Sequence, residues 1–494
     1  MEIDARLAAI CGLTVPVARE AAGRHEYDGT VQDLSPDGVR RGLARLGGPA
    51  YPDAHDQAQA DAAEQALRVR FGELELHRVN PVWHLENLEL VCYEREYAPA
   101  SERAGARLSH LRAWPDAVDA AVAALDRVPA PVAEATLPLA TGLRAYLRPA
   151  DGELGERSGA ALDRLVTHLE RAAAHGDPTA ALGGPALTRL LSSAEAIDVD
   201  LDDLAKRVDA ERDRMGQLLT EACARVDPSA PVREVVQGLR AHHPTADGLL
   251  GEVTALVAEV IEWTTRSGLV PYTDGECLVG PMPASQRGHA LAGLFWAAPG
   301  EPDAPSWFRV SEPDPSWPAA DQESWLANCF NAMVLPNIAV HEVAPGHFSH
   351  SRALRRAPSA VRATLQSDAF IEGWAHYCEE LALEEGFRAG DPRFAAGVAL
   401  DALRRVTRFA CAIGVHTGEL SVDDAAARFT ADALLDGRAA QAEARRALFD
   451  PTYGRYTWGK LVIRELRQAD LAAFHGAMLE LGAPSLGLLS RVCT

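Results

Sequence analysis

Apolar residues recur at helical spacing through most of the chain. Between positions 159 and 173, Leu162, Val166, Leu169 and Ala173 share one stripe. Between 201 and 225, Leu204, Val208, Leu218 and Leu219 do the same among many charges. From Leu249 to Trp263 the stripe widens to Leu250, Val253, Leu256, Val257, Val260 and Ile261, a broad apolar helix face. Pro and Gly separate such segments, as at Asp227-Pro228 and Gly183-Gly184-Pro185. The texture changes near residue 268. From Leu269 to Pro318, Pro, Gly and aromatics dominate, and Leu294-Phe-Trp-Ala297 and Trp307-Phe-Arg-Val310 predict two short strands. Helical patterns then resume. The chain is expected to be mainly α, with one small sheet. It divides near residue 268 into an N-terminal helical lobe (1–268) and a second lobe (269–494), or forms one integrated domain.

A chain of 494 residues is long enough for a large two-lobed enzyme. The net charge of −22 lacks the clustered cations that displace counterions from nucleic acid, so no nucleic-acid partner is expected. The eight cysteines form no CxxC pair, which predicts free thiols in a reducing compartment. The first residues lack a basic segment followed by a long apolar one, and no run approaches the ~20 apolar residues of a membrane span. A cytoplasmic protein without a membrane partner is the expectation.

Candidate chemistry concentrates in His341-Glu342-Val-Ala-Pro345-Gly346-His347. A catalytic zinc takes three His or carboxylate ligands and leaves one position open. In the usual H-E-x-x-H helix, a spacing of four puts both imidazoles on one side, with the Glu near the water. Here the spacing is six, and six residues of unbroken helix turn about 240° net. Pro345-Gly346 breaks the ladder, so a distorted turn is expected to return His347 to His341. His350 is a competing ligand.

The third ligand is expected from Asp368-Ala-Phe-Ile-Glu372-Gly373-Trp374-Ala-His376-Tyr-Cys378-Glu379. Read as a helix, it places Glu372, His376, Glu379 and Leu383 on one face. Three polar groups on a face that should be apolar imply a polar counterpart. Gly373 implies the close approach of another backbone or of the helix that carries His341.

These two motifs resemble a bacterial domain-of-unknown-function family, number 885, whose hallmark is H-E-x-x-P-G-H followed by E-G-W-A-x-Y-x-E. The similarity extends from about Asn80 to the C-terminus. That family is in turn similar to the gluzincin zinc peptidases, which implies a large two-lobed helical metallopeptidase-like fold with the sheet beside the active-site helix. The resemblance makes His341, His347 and Glu372 metal ligands and Glu342 the catalytic carboxylate. Two later segments are also similar: Arg405 to His416, where Ala412 replaces a family Asp, and Pro451 to Gly459, where a family Gln is missing.

The implied reaction is zinc-assisted hydrolysis of an amide or peptide bond in a small molecule or short peptide, with Glu342 as general base. Manganese, iron or cobalt would suit the same ligands. Tyr456 and His416 are candidates to stabilise the oxyanion. Arg405 and Arg408 are candidates to clamp a substrate carboxylate, and His376 and Glu379 to orient a ligand from behind. Plainer roles are a packed Tyr456, a core His416 and structural ion pairs for the arginines. One alternative keeps the metal but runs a lyase-like or other non-peptidase step. Another is a helical binding protein with a vestigial metal site. His25-Glu26 is expected at the surface, and His242-His243 in a loop. Gly454 to Lys460 fits seven positions of a phosphate loop, but Leu461 stands where Ser or Thr should hold magnesium.

Overall fold

The computed structural model describes residues 2–283, 286–287, 291–302 and 304–493. The longer or site-forming helices of the N-terminal half are α1 (Val15–Glu20), α2 (Ala54–Leu67), α3 (Ala100–Ala124), α4 (Ala130–Gly142), α5 (Gly152–His175), α6 (Gly184–Glu195), α7 (Leu201–Val226) and α8 (Leu249–Ser267). Three strands follow: β1 (Cys277–Pro281), β2 (Ala292–Phe295) and β3 (Ser306–Val310). Then come α9 (Val334–Glu342), α10 (His347–Leu354), α11 (Asp368–Glu384), α12 (Pro392–Thr417) and α13 (Arg455–Leu466). The protein is mainly helical with one small sheet. None of its described helices is long and apolar enough to cross a membrane.

The sheet order is β1-β3-β2, with β1 parallel and β2 antiparallel to β3. In β3, Phe308 and Val310 point into the core while Trp307 and Arg309 alternate outward, the period of a half-buried strand. β2 begins two residues before the stretch expected from its apolar run, because its pairing with Val310 starts at Ala292. β1 was not foreseen; its five residues end in Gly280-Pro281 and show no alternation.

The largest apolar cluster runs from Leu187 to Leu489 and crosses residue 268. A second joins Leu85–Leu169 to Cys411–Leu448, and a third packs Leu7–Phe71 against Val361 and Leu365. Helices α11 and α13 cross at glycine. A Cβ on Gly373 would lie 2.4 Å from Gly459 Cα, and one on Gly459 would lie 1.9 Å from the Ala369 carbonyl oxygen. Gly373 therefore admits α13 rather than the His341 helix. The same crossing explains the phosphate-loop mimicry. Residues 455–460 are helical, and Lys460 is fully buried between Glu211 (2.9 Å) and Glu380 (2.8 Å). Those carboxylates hold its ammonium in the interior, where an unpaired charge would be costly.

One peripheral expectation fails. His25 is half-buried, not superficial: it stacks on Tyr97 with ring centroids 3.8 Å apart, and its ring nitrogens face Asp28 and Glu301. His242 and His243 lie between helices, outside regular structure.

Candidate metal centre

Helix α9 ends at Glu342 and α10 starts at His347. The helix does not continue between them: Val343 takes φ −108°, ψ −97°, and Gly346 takes φ −72°, ψ −131°. Pro345 has no N–H to extend the ladder. Instead, Gly346 N–H donates to the Val340 carbonyl at 3.2 Å, and Phe348 N–H donates to Val343 at 3.0 Å. The chain folds back so tightly that a Cβ on Gly346 would lie 1.9 Å from the His341 carbonyl oxygen. Trp374 Nε1 donates to the Pro345 carbonyl at 3.0 Å and ties this turn to α11. The two imidazoles thereby meet, with ring centroids 4.7 Å apart and planes at 82°.

Glu372, on α11, completes the convergence. Its Oε2 lies 3.4 Å from His341 Nε2 and 3.5 Å from His347 Nε2. Ligand atoms of His341, Glu342 and His347 also fall within 4.8 Å of one another. Four ligands around zinc at about 2.1 Å are separated by edges of about 3.4 Å. The donor set thus fits a divalent cation in both spacing and chemistry. Glu342 is held separately: its Oε2 accepts the Leu294 backbone N–H at 2.9 Å, which fixes the carboxylate to β2. His350 does not compete. It is fully buried, with Nε2 3.4 Å from the Gly482 carbonyl oxygen, and it lies outside the cavity lining.

Behind His341 stands Glu379, whose Oε1 is 2.6 Å from His341 Nδ1. Its Oε2 accepts from Arg405 Nη1 at 2.8 Å and lies 3.1 Å from His376 Nδ1. Burial opposes the Glu379 charge, but Arg405, then His376 and His341, outweigh it and hold the carboxyl well below its usual range. An ionised Glu379 takes the Nδ1 proton of His341 in a hydrogen bond and leaves the Nε2 lone pair facing Glu372. Burial and Arg405 push the His341 pKa down, but Glu372 and Glu379 prevail and raise it to about 9. A position flanked by two carboxylates favours positive charge, which a metal cation also supplies. His376 is kept neutral, pushed down to about 3 chiefly by burial.

The donors open on a cavity of about 470 Å³. Tyr456, at the start of α13, lines it beneath the guanidinium groups of Arg405 and Arg408, 5.7 and 5.5 Å from its ring centre. Burial, then Glu372, push the phenol above its usual pKa, so it remains a donor. Both arginines line the cavity, yet Arg405 is held by Glu379 and Arg408 by Glu443. His416 is elsewhere: it sits three turns beyond Arg405 on α12, about 16 Å along the axis. There it is buried near Ala447 and Asp450, and burial pushes it down to about 4. A neutral core histidine at that distance cannot serve the centre. Asp368, Asp401 and Arg404 line the cavity without having been picked from the sequence. The signal was there: each lies four positions before a residue that was (Glu372, Arg405 and Arg408), so helical spacing carries it to the same face.

A family model described as "Bacterial protein of unknown function (DUF885)" matches residues 16–492. Two solved structures share the fold over 99% of this chain. They are described as putative lipoproteins, one of unknown function from Shewanella oneidensis and one from Colwellia psychrerythraea. The first gives a TM-score of 0.78 at 18% identity over 98% of its length, and the second 0.76 at 15% over 96%. No curated protein matches. With nearly its whole length matched, the chain belongs to the bacterial family of unknown function DUF885.

Proposed function

We propose that this chain is a metal-dependent hydrolase that cleaves an amide or peptide bond in a small substrate, in the manner of the gluzincins. One observation carries the reading: two imidazole nitrogens and a carboxylate oxygen at 3.4–3.5 Å, with a second carboxylate beside them, at the wall of an open cavity. His341, His347 and Glu372 would hold the ion, zinc being the best match to the ligand types. When bound, such an ion would lower the pKa of a water towards ~7 and polarise a carbonyl. Glu342, kept in place by the Leu294 N–H, accepts a proton from the attacking water and passes it to the leaving nitrogen. The Tyr456 hydroxyl donates to the oxygen on which negative charge grows. Glu379 keeps the His341 ring oriented.

The test is metal analysis of the purified protein together with Glu342→Gln, both assayed on a panel of short peptides and N-acyl amino acids. About one equivalent of metal in both proteins, with hydrolysis by the wild type alone, is the expected result. Metal without hydrolysis in the wild type moves the reading to a non-hydrolytic reaction of the same centre. Absence of metal after growth and purification with added zinc sinks it.

A further inference from the structure

Helix α12 presents three arginines to the cavity, and two are already committed. Arg405 donates to Glu379 at 2.8 Å. Arg408 grips Glu443 with two hydrogen bonds, 2.8 Å from Nε and 2.7 Å from Nη2. Arg404 has no hydrogen-bond acceptor among the described residues. Its closest carboxylate oxygen, Asp401 Oδ1, is 3.8 Å from Nη1, beyond hydrogen-bonding distance. Asp401 itself is engaged elsewhere, accepting from Asn337 at 2.9 Å through Oδ2. Arg404 lines the cavity with its side chain 27% exposed. A second guanidinium lies close: burial, then the charge of Arg404, push Arg240 below the usual arginine range.

Its place relative to the metal donors follows from two contacts. Asn337 of α9 meets Asp401 of α12 at 2.9 Å, and four residues later in both helices His341 Nδ1 lies 3.5 Å from Arg405 Nη2. The helices run side by side in the same sense, so Arg404 stands within one residue of the level of His341. A carboxylate two bonds from a scissile amide falls within reach of a side chain so placed. Val334 and Ile338 precede His341 on the same face of α9 and line the cavity, offering an apolar wall to the residue that carries the carboxylate.

We propose that Arg404 determines specificity by binding the free carboxylate of the substrate, which makes the substrate an N-acyl amino acid or short peptide cleaved next to its C-terminal residue. This inference rests on the hydrolase reading and narrows it. A guanidinium that donates to two carboxylate oxygens favours that group over a neutral amide by roughly 10- to 100-fold.

The experiment compares acetyl-Phe-Leu with its C-terminal amide as substrates for metal-loaded wild type, Arg404→Met and Arg404→Lys. The wild type is expected to prefer the free acid roughly 10- to 100-fold in kcat/KM. Arg404→Met should lose that preference through KM, and Arg404→Lys should recover part of it. Equal turnover of acid and amide by the wild type, or equal loss on both in Arg404→Met, overturns the proposal while leaving the hydrolase reading intact. Calorimetry with N-acetylleucine and N-acetylleucinamide needs no turnover. Binding of the acid alone, lost in Arg404→Met, supports the assignment even if no substrate is cleaved. No binding of the acid to the wild type overturns it.

Discussion

His341 and Glu379 form the tightest contact of the centre, 2.6 Å between Nδ1 and Oε1. It selects the tautomer whose Nε2 is free, and it ties the ring to Arg405 through the second carboxylate oxygen. His347 has no equivalent: its Nδ1 is buried without a partner among the described residues. The metal affinity should therefore depend on Glu379 more than on any group behind His347. Glu379→Gln leaves both candidate imidazoles in place yet should weaken zinc binding roughly 10- to 100-fold. Competition with a chromophoric chelator measures this, and an unchanged affinity refutes it.

Tyr456 carries a different prediction because its hydroxyl has no hydrogen-bond partner among the described residues while its ring is hemmed by Arg405, Arg408 and Arg455. Tyr456→Phe keeps the packing and removes one donor. On a cleaved substrate kcat should fall roughly 100- to 1,000-fold with KM little changed. His416→Gln should leave kcat within a few-fold, since that ring lies three turns away. Equal losses in the two variants would remove Tyr456 from the chemistry.

Gly346 decides whether the turn forms at all. A methyl group there meets the His341 carbonyl at 1.9 Å and the Val340 carbonyl at 2.5 Å, both of them backbone atoms that cannot swing aside. Gly346→Ala should cost on the order of 3 kcal/mol and displace His347 from His341. The checks are the thermal midpoint and zinc stoichiometry. A stable variant with full zinc affinity would show that the turn relaxes without moving the imidazoles.

The convergence of His341, His347 and Glu372 was legible in the sequence because residue type and order encode it: a Pro-Gly break between two histidines, then a helix with carboxylates on an unexpected face. What the sequence could not settle was pairing. Arg405 and Arg408 sit three apart and look equivalent, yet only their tertiary partners, Glu379 and Glu443, reveal that both are held by hydrogen bonds, whereas Arg404 faces its nearest carboxylate, Asp401, at 3.8 Å. His416 shares a helix with Arg405, but counting turns already separates it from the centre. β1 escaped notice because a five-residue parallel strand is specified by its partner β3 rather than by its own alternation. Gly373 signalled a close backbone, but only the fold identifies it as Gly459.

Glu195 couples stability to pH at the start of the Glu372 helix. It ends α6, is buried, and accepts from the Leu486 N–H and the Ser367 hydroxyl, while Ser367 caps α11 through the Ala369 and Phe370 N–H groups. Burial raises its pKa to about 7 from the ordinary 4.5, despite both hydrogen bonds. Below pH 4.5 the residue is protonated in both folded and unfolded chains and its contribution is fully present. Between 4.5 and 7 the unfolded chain releases the proton while the folded chain keeps it, so stability falls as pH rises. Above 7 the loss is complete, on the order of 3 kcal/mol. Glu195→Gln retains a carbonyl acceptor for both donors and cannot ionise. Relative to wild type, it should therefore gain stability between pH 4.5 and pH 8 by about that amount. Urea unfolding of both proteins at the two pH values isolates this difference from every other titrating group. A gap that does not change with pH would mean that Glu195 is already ionised in the folded protein at pH 4.5.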